Sequence, residues 1–444
     1  MTSTSKVRRD DYRVQPGGCL QGQITIPGDK SISHRALLLG ALASGETRIS
    51  NFLEGADCLA TLAVLRALGV AAEHNAPGRV RIHGVGCAGL TAPAATLDCG
   101  NSGTSMRLLS GLLAGQPFTS TLDGDESLRR RPMRRIIEPL ARMGASIDSH
   151  DGCAPLTVHG RPPLHPLRYE LPVASAQVKS AILLAGLYAD GETWLREPGV
   201  SRDHTERMLE QFGCAVLRDG AWLGVRGGTE LRGTDVPVPG DLSAAAFFLV
   251  GTAMTPGAGV TLENVGVNPT RDGVLNLLRR MGAQLEFHNR RTLGTEPVAD
   301  IAVVGGDLQG IAIAPAEVPL AIDDLPILMV AAAAAHGVTK LHGARELRVK
   351  ESDRLASTAA GLRALGVPVE LFDDGLQVTG VEDFKGATIE SYGDHRIAMA
   401  FSIAALRARA PVVVHDCRNV ATSFPDFAVL ANRLGLQVDT ETAA

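Results

Sequence analysis

The chain has 444 residues, 45% hydrophobic and 20% charged, which describes an ordinary globular protein large enough for two domains or more. A net charge of −5 excludes a basic field for nucleic acid, and no apolar run is long enough to span a bilayer, so neither is an expected partner. The seven cysteines are odd in number, scattered and free of C-x-x-C pairs, a reduced, cytoplasmic pattern with no metal cage.

In chain order, MTSTSKVRRDDYR (1–13) lacks the apolar core of a signal peptide and is expected to be a disordered tail. PGDKSISHRALLLG, from Pro27, then sets Lys30, Ser31, His34 and Arg35 on a glycine-led turn that runs into an apolar helix. Cationic side chains, free N–H groups and the positive end of a helix dipole make this a site for phosphate or carboxylate. Further polar turns precede small-residue helices at GNSGTSMR (100–107) and ASAQVKS (174–180). PGDLSAAAFFLVG, from Pro239, copies the first turn but carries Leu242, Ala246 and Phe247 where the first carries Lys30, His34 and Arg35. IDDLP (322–326) and GDHR (393–396) are the last two such turns, and SLRRRPMRR (127–135) and RVKESDR (348–354) are charged stretches at second helices.

These turns fall in register within a repeat. A helix ending in glycine recurs as LRALGV, LARMGA, LEQFGC, LRRMGA, LRALGV and RLGL, closing on Gly69, Gly144, Gly213, Gly282, Gly366 and Gly435. A strand-like alternation follows each helix, and a strand, polar turn and helix precede it, so each unit reads βαβαββ. The six units form two halves of three. The last unit stops without its final strand, which DYRVQPG could supply. Residues 1–28 with 240–444 would then form one domain and 29–239 the other, with crossings near Pro27–Lys30 and Pro239–Asp241.

Taken singly, each polar residue has a bland account. An arginine in the first turns of a helix is ordinarily a solvated or salt-bridged surface residue. Ser175, Gln177 and the Asp323–Asp324 pair can serve as helix caps, and Glu351 can pair with Lys350 or Arg354. SLRRRPMRR can be a solvated charge run, and His34, His395 and Trp194 carry no signal alone. The shared register favours one cleft faced by six helix N-termini, in which Arg35, Arg107, Arg131, Arg202, Arg354 and Arg396 clamp anionic groups.

GDKSISHR, GNSGTSMR, RRPM, SAQVKS, SRDHTE, RVKESDR, GDHRIAMAF and ATSFPDF occur in this order across nearly the whole chain. In them the sequence resembles the 5-enolpyruvylshikimate-3-phosphate synthases (3-phosphoshikimate 1-carboxyvinyltransferases), and its SRDHTE and SAQ forms are similar to the second of that family's two broad classes. The resemblance implies an α/β (α+β) fold of two similar domains, each of three βαβαββ repeats, as an inside-out α/β barrel. It implies transfer of the enolpyruvyl group of phosphoenolpyruvate to the 5-hydroxyl of shikimate 3-phosphate, without metal or organic cofactor. By motif position Ser31, Arg35, Ser175, Ala176, Gln177 and Arg202 would hold shikimate 3-phosphate. Lys30, Gly103, Arg131, Arg354 and Arg396 would hold phosphoenolpyruvate, with Lys350 between the two. Asp323 would take or orient the hydroxyl proton, Glu351 would protonate the methylene, and Lys30 would stabilise the leaving phosphate. Two carboxyls with separated pKa values are the usual means of running both proton steps. A cytoplasmic monomer is expected, with glyphosate as an inhibitor because Gly103 leaves space beside the phosphoenolpyruvate site.

The chain departs from the family's other class at three places. Thr422 stands where that class has lysine, Glu346 where it has asparagine, and Leu108 where it has proline. The related UDP-N-acetylglucosamine enolpyruvyl transferases carry an active-site cysteine on a mobile loop, and here SLRRRPMRR occupies that stretch. A non-catalytic phospho-ligand binder on this scaffold would be expected to lack Lys30, Asp323 or Glu351. A repeat scaffold for protein partners would not need different polar sets in each repeat.

Overall fold

The computed structural model describes residues 10–442, so residues 1–9 of the expected tail lie outside the described residues. Six helices stop at the signature glycines, and all six glycines take positive φ, between 84° and 109°. That backbone strains any residue with a Cβ, which is why the repeat is punctuated by glycine.

The strands form six sheets of one pattern: a parallel pair, then two antiparallel pairings. The strand Asp10–Val14 lies between Val412–His415 and Val438–Thr442, supplying the sixth sheet with the strand its own unit lacks. The strands before the two PGD turns are exchanged. Gln21–Thr25 precedes Lys30 in sequence, yet it pairs in parallel with Gly259–Gly266 of the fourth unit. Leu231–Arg232 and Asp235–Pro237 instead pair in parallel with Ala43–Ser50 of the first. A repeat unit is therefore not contiguous in the chain at either crossing.

The sheets surround buried helices. Every residue of Leu242–Ala253, Leu325–Ala333 and His395–Ala404 is buried, and these three helices pack on one another. Their counterparts are Lys30–Leu42, Gly103–Ala114 and Ala176–Gly186, of which the last two approach so closely that a Cβ on Gly111 would fall on the Ala181 carbonyl. A helix apolar on all sides can only be an interior helix. The apolar side chains divide into two cores. One draws on Tyr12–Ile26 and Leu242–Val438, the other on Ile32–Val238. Among the described residues no helix is long and apolar enough to cross a membrane.

The two PGD turns meet back to back. The Asp29 N–H donates to the Pro239 carbonyl (2.8 Å) and the Asp241 N–H to the Pro27 carbonyl (2.9 Å). Each aspartate also caps its own helix, accepting from the N–H of Ile32 (2.9 Å) and of Ser243 (2.8 Å). Arg271 is bound to both carboxylates, closing a buried knot at the crossings.

Candidate active site

All six polar turns precede helices, and those helices begin at Lys30, Gly103, Ala176, Leu242, Leu325 and His395. Between the two cores lies a cleft of about 1470 Å³, solvent mouth included, lined by residues from these helix starts. Nine cationic side chains line it against five carboxylates, so a chain of net charge −5 presents a locally positive site. Anionic ligands are the chemistry that such a surface attracts.

The structure brings Lys30, Ser31, Gly103, Arg131, Ser175, Ala176, Gln177, Arg202, Asp323, Lys350, Glu351, Arg354 and Arg396 to this one cleft. Arg35 stands apart. Its guanidinium is buried and committed to the Ser31 carbonyl (2.9 Å) and the hydroxyls of Ser180 and Thr205 (both 2.7 Å). It braces the helix start from beneath.

Two carboxylates in the cleft each answer to several cations. Asp323 faces Arg202 at 3.1 Å, Arg354 at 3.5 Å and Lys350 at 3.6 Å. Glu351 pairs with Arg354 at 2.6 Å and with Arg131 at 3.3 Å. Burial pushes both carboxyls up, but these cations outweigh it and hold both well below the usual carboxylate range. Both are held as anions, because both sit among cations. The Lys350 ammonium is lowered as well, since burial lowers it more than Asp323 restores it. Burial beside Arg131 and Arg135 pushes the Arg107 guanidinium down to about 10.

The bland accounts hold at some positions, as where Glu351 pairs with Arg354, and fail at others. Neither Asp323 nor Asp324 caps the helix that follows, and Asp324 instead binds Arg396 at 2.9 Å. Ser175 does cap, accepting from the Val178 N–H at 3.4 Å, while Gln177 accepts from Arg107 at 2.5 Å and donates to Thr104 at 2.8 Å. The run SLRRRPMRR divides. Arg129 and Arg130 form exposed pairs with Asp123 and Glu126, whereas Arg131 turns inward and is buried.

Other residues enter the site that sequence reasoning did not assign to it. Asp57 binds the Lys30 ammonium at 3.1 Å from the start of the second helix, where only its place in that first turn marked it. His395 lines the cleft with both ring nitrogens unpartnered, and burial, with Lys30 and Arg396 nearby, holds it neutral by lowering its pKa well below the usual value. Its position inside GDHR was its sole signal. Arg271 lines the cleft with no motif to announce it, and Ser201 opens the SRDHTE motif. Glu346, at a departure from the family's other class, makes a two-pronged contact with Arg135 at 2.7 and 3.1 Å. Thr422 is buried, with its hydroxyl on the Asn419 carbonyl, and Leu108 is in the core.

Comparison with known proteins agrees along nearly the whole chain. The family model described as EPSP synthase (3-phosphoshikimate 1-carboxyvinyltransferase) matches residues 14–429. A 3-phosphoshikimate 1-carboxyvinyltransferase of Alkalilimnicola ehrlichii is 59% identical over 427 residues, covering 96% of each chain. One from Halorhodospira halophila is 58% identical, covering 97% of this chain and 98% of its own. A solved EPSP synthase from Acinetobacter baumannii superposes with a TM-score of 0.86 at 50% identity, covering 97% of this chain and all of that one. With six repeats, two cores and an arginine-lined cleft already in place, these likenesses establish that the chain belongs to the EPSP synthase family.

Proposed function

We propose that this protein transfers the enolpyruvyl group of phosphoenolpyruvate to the 5-hydroxyl of shikimate 3-phosphate and releases phosphate, in the cytoplasm and as a monomer. The observation that carries the reading is the convergence of Lys30, Asp323 and Glu351 in a cleft with nine cations, which suits two anionic substrates. Ser31, Ser175, Ala176, Gln177 and Arg202 are the shikimate 3-phosphate half, with Arg35 acting through Ser31. Lys30, Gly103, Arg131, Arg354 and Arg396 are the phosphoenolpyruvate half, and Lys350 reaches both. The domains are residues 1–28 with 240–444, and 29–239, closing over the substrates at the two crossings.

In the addition step the 5-hydroxyl oxygen bonds to the carbon of phosphoenolpyruvate that bears the phosphate. Asp323 orients that hydroxyl and takes its proton, while the methylene gains a proton from Glu351 and becomes the methyl of a tetrahedral ketal. In the elimination step the carbon–oxygen bond to phosphate breaks, the methyl returns a proton and the vinyl group reforms. Lys30 carries charge on the departing phosphate. Glu351 is an anion in the free chain, so its acid role needs substrate. Anionic ligands on Arg131 and Arg354 offset those cations and raise its pKa. Closure then excludes water from the ketal.

The direct test is phosphate release from phosphoenolpyruvate with and without shikimate 3-phosphate. Release is expected only with both, and release indifferent to the shikimate compound overturns the reading. Glyphosate is expected to compete with phosphoenolpyruvate. A Cβ on Gly103 would stand 2.9 Å from Arg107 Nη1 and 3.2 Å from Arg131 Nη1, so Gly103→Ala should shift both guanidinium groups and weaken that inhibition. Sedimentation at working concentration checks the monomer, and a dimer would refute it.

A further inference from the structure

Behind the wall of the cleft that bears Ser175 and Arg202 lies a buried charged cluster to which the proposed reaction assigns no task. The Lys179 ammonium is enclosed and touches Glu197 at 2.8 Å, Glu206 at 2.8 Å and the Ser201 carbonyl at 3.3 Å. All three side chains are at most 8% exposed. Burial opposes the ammonium, but Glu206 and Glu197 outweigh it and raise its pKa, so it stays charged.

The contacts of Glu197 point toward the site. Its Oε2 takes the ammonium, and its Oε1 accepts from the Ser175 N–H at 3.2 Å and from the Ser201 hydroxyl at 2.5 Å. Ser175 is the residue that caps the helix Ala176–Gly186, and Ser201 immediately precedes Arg202. One carboxylate thus grips both the cap of that helix and the loop that aims Arg202. Lys179, one turn into the same helix, grips that loop again through its carbonyl and reaches the helix His204–Gln211 through Glu206. A neighbouring contact runs in parallel, from Ser180 to the Thr205 hydroxyl at 2.6 Å, and both bind Arg35.

A buried ion cluster is weak as a source of stability, because desolvation offsets most of its attraction. It is strong as a device for orientation, because each hydrogen bond has a fixed direction and no water can substitute. We propose that Lys179 and Glu197 are positioning residues for the shikimate 3-phosphate half of the site, locking Ser175, Gln177 and Arg202 into one arrangement before ligand arrives. This rests on the assignment of those three residues to shikimate 3-phosphate.

The test uses two variants of the full chain. Glu197→Gln keeps the shape but lacks the charge that holds Lys179. The double variant Lys179→Met/Glu206→Gln removes the ammonium while leaving the cluster at the same net charge. Kinetics are measured with each substrate varied against saturating amounts of the other, with calorimetric binding of shikimate 3-phosphate and a thermal unfolding curve alongside. In folded variants KM and Kd for shikimate 3-phosphate should rise by about tenfold or more while KM for phosphoenolpyruvate stays within about twofold, the scale of one or two misplaced hydrogen bonds. Equal rises for both substrates, or no rise in either, overturn the positioning role. Loss of fold in both variants would assign the cluster to stability and overturn it too; where only one unfolds, the other decides. Wild-type protein that neither binds nor consumes shikimate 3-phosphate would instead sink the functional reading.

Discussion

At the residue scale, the site is a balance between carboxylates and an excess of cations. Lys30 pairs with Asp57 and faces the cleft, so in the proposed reaction removing it strips charge stabilisation from the leaving phosphate. Lys30→Ala should lower turnover by about 10²–10³-fold, the range for loss of one preorganised charge-stabilising donor. Glu351→Gln should lower kcat by about 10²–10⁴-fold with shikimate 3-phosphate binding little changed, as for loss of a proton donor. Near-normal rates in either would remove that residue from the chemistry. The same carboxylates set the response to acid. Asp323 and Glu351 are held below their ordinary values of 3.8 and 4.5, so the unfolded chain takes up those protons first. Their stabilisation is complete above those values and is lost as pH falls from there toward the depressed folded-state values. His34 and His395, buried and neutral, act in the same direction below their ordinary 6.5, where only the unfolded chain is readily protonated. Urea midpoints of the ligand-free protein should therefore fall from neutral pH downward, and Asp323→Asn should flatten the most acidic part of the curve. A midpoint that does not fall with pH would contradict these burial effects.

At the element scale, helix ends and close approaches carry the fold. The six signature glycines were legible because a left-handed residue after a helix leaves a mark in sequence, and the polar turns were legible because caps do too. The interior helices could not be paired from sequence, since a helix apolar all round gives no face to match. Gly111 marks where two of them touch, with the Ala181 carbonyl in the place of a side chain. Gly111→Ala must separate those helices and should cost about 1–3 kcal/mol, the usual penalty for overpacking. A change in the urea midpoint too small to resolve would mean that the helices part freely. The charged run 127–135 illustrates the limit of local reading. Its composition predicts a solvated face, yet Arg131 turns inward and crosses to Glu351 of the other core.

At the scale of the whole molecule, the two PGD turns form one object. The second turn has no counterpart of Lys30 or Arg35, but Asp241 accepts from the Lys30 backbone N–H at 3.2 Å and shares Arg271 with Asp29. Arg271→Met would leave two buried carboxylates without their shared cation and should destabilise the protein by about 3–5 kcal/mol, as breaking a buried ion pair does. A shift within error in denaturant unfolding would refute the knot. By itself the sequence determined the repeat, its punctuation and the charge of the turns, because helix periodicity, glycine stops and caps act within a few residues, while the expected site residues came from the family resemblance by motif position. Only the tertiary structure decided that the strands before the two crossings are exchanged between units, that Arg35 braces Ser31 from outside the cleft lining, and that Asp57, His395 and Arg271 enter the site. Each of these depends on contacts between residues distant in the chain, and such contacts leave no local pattern to read.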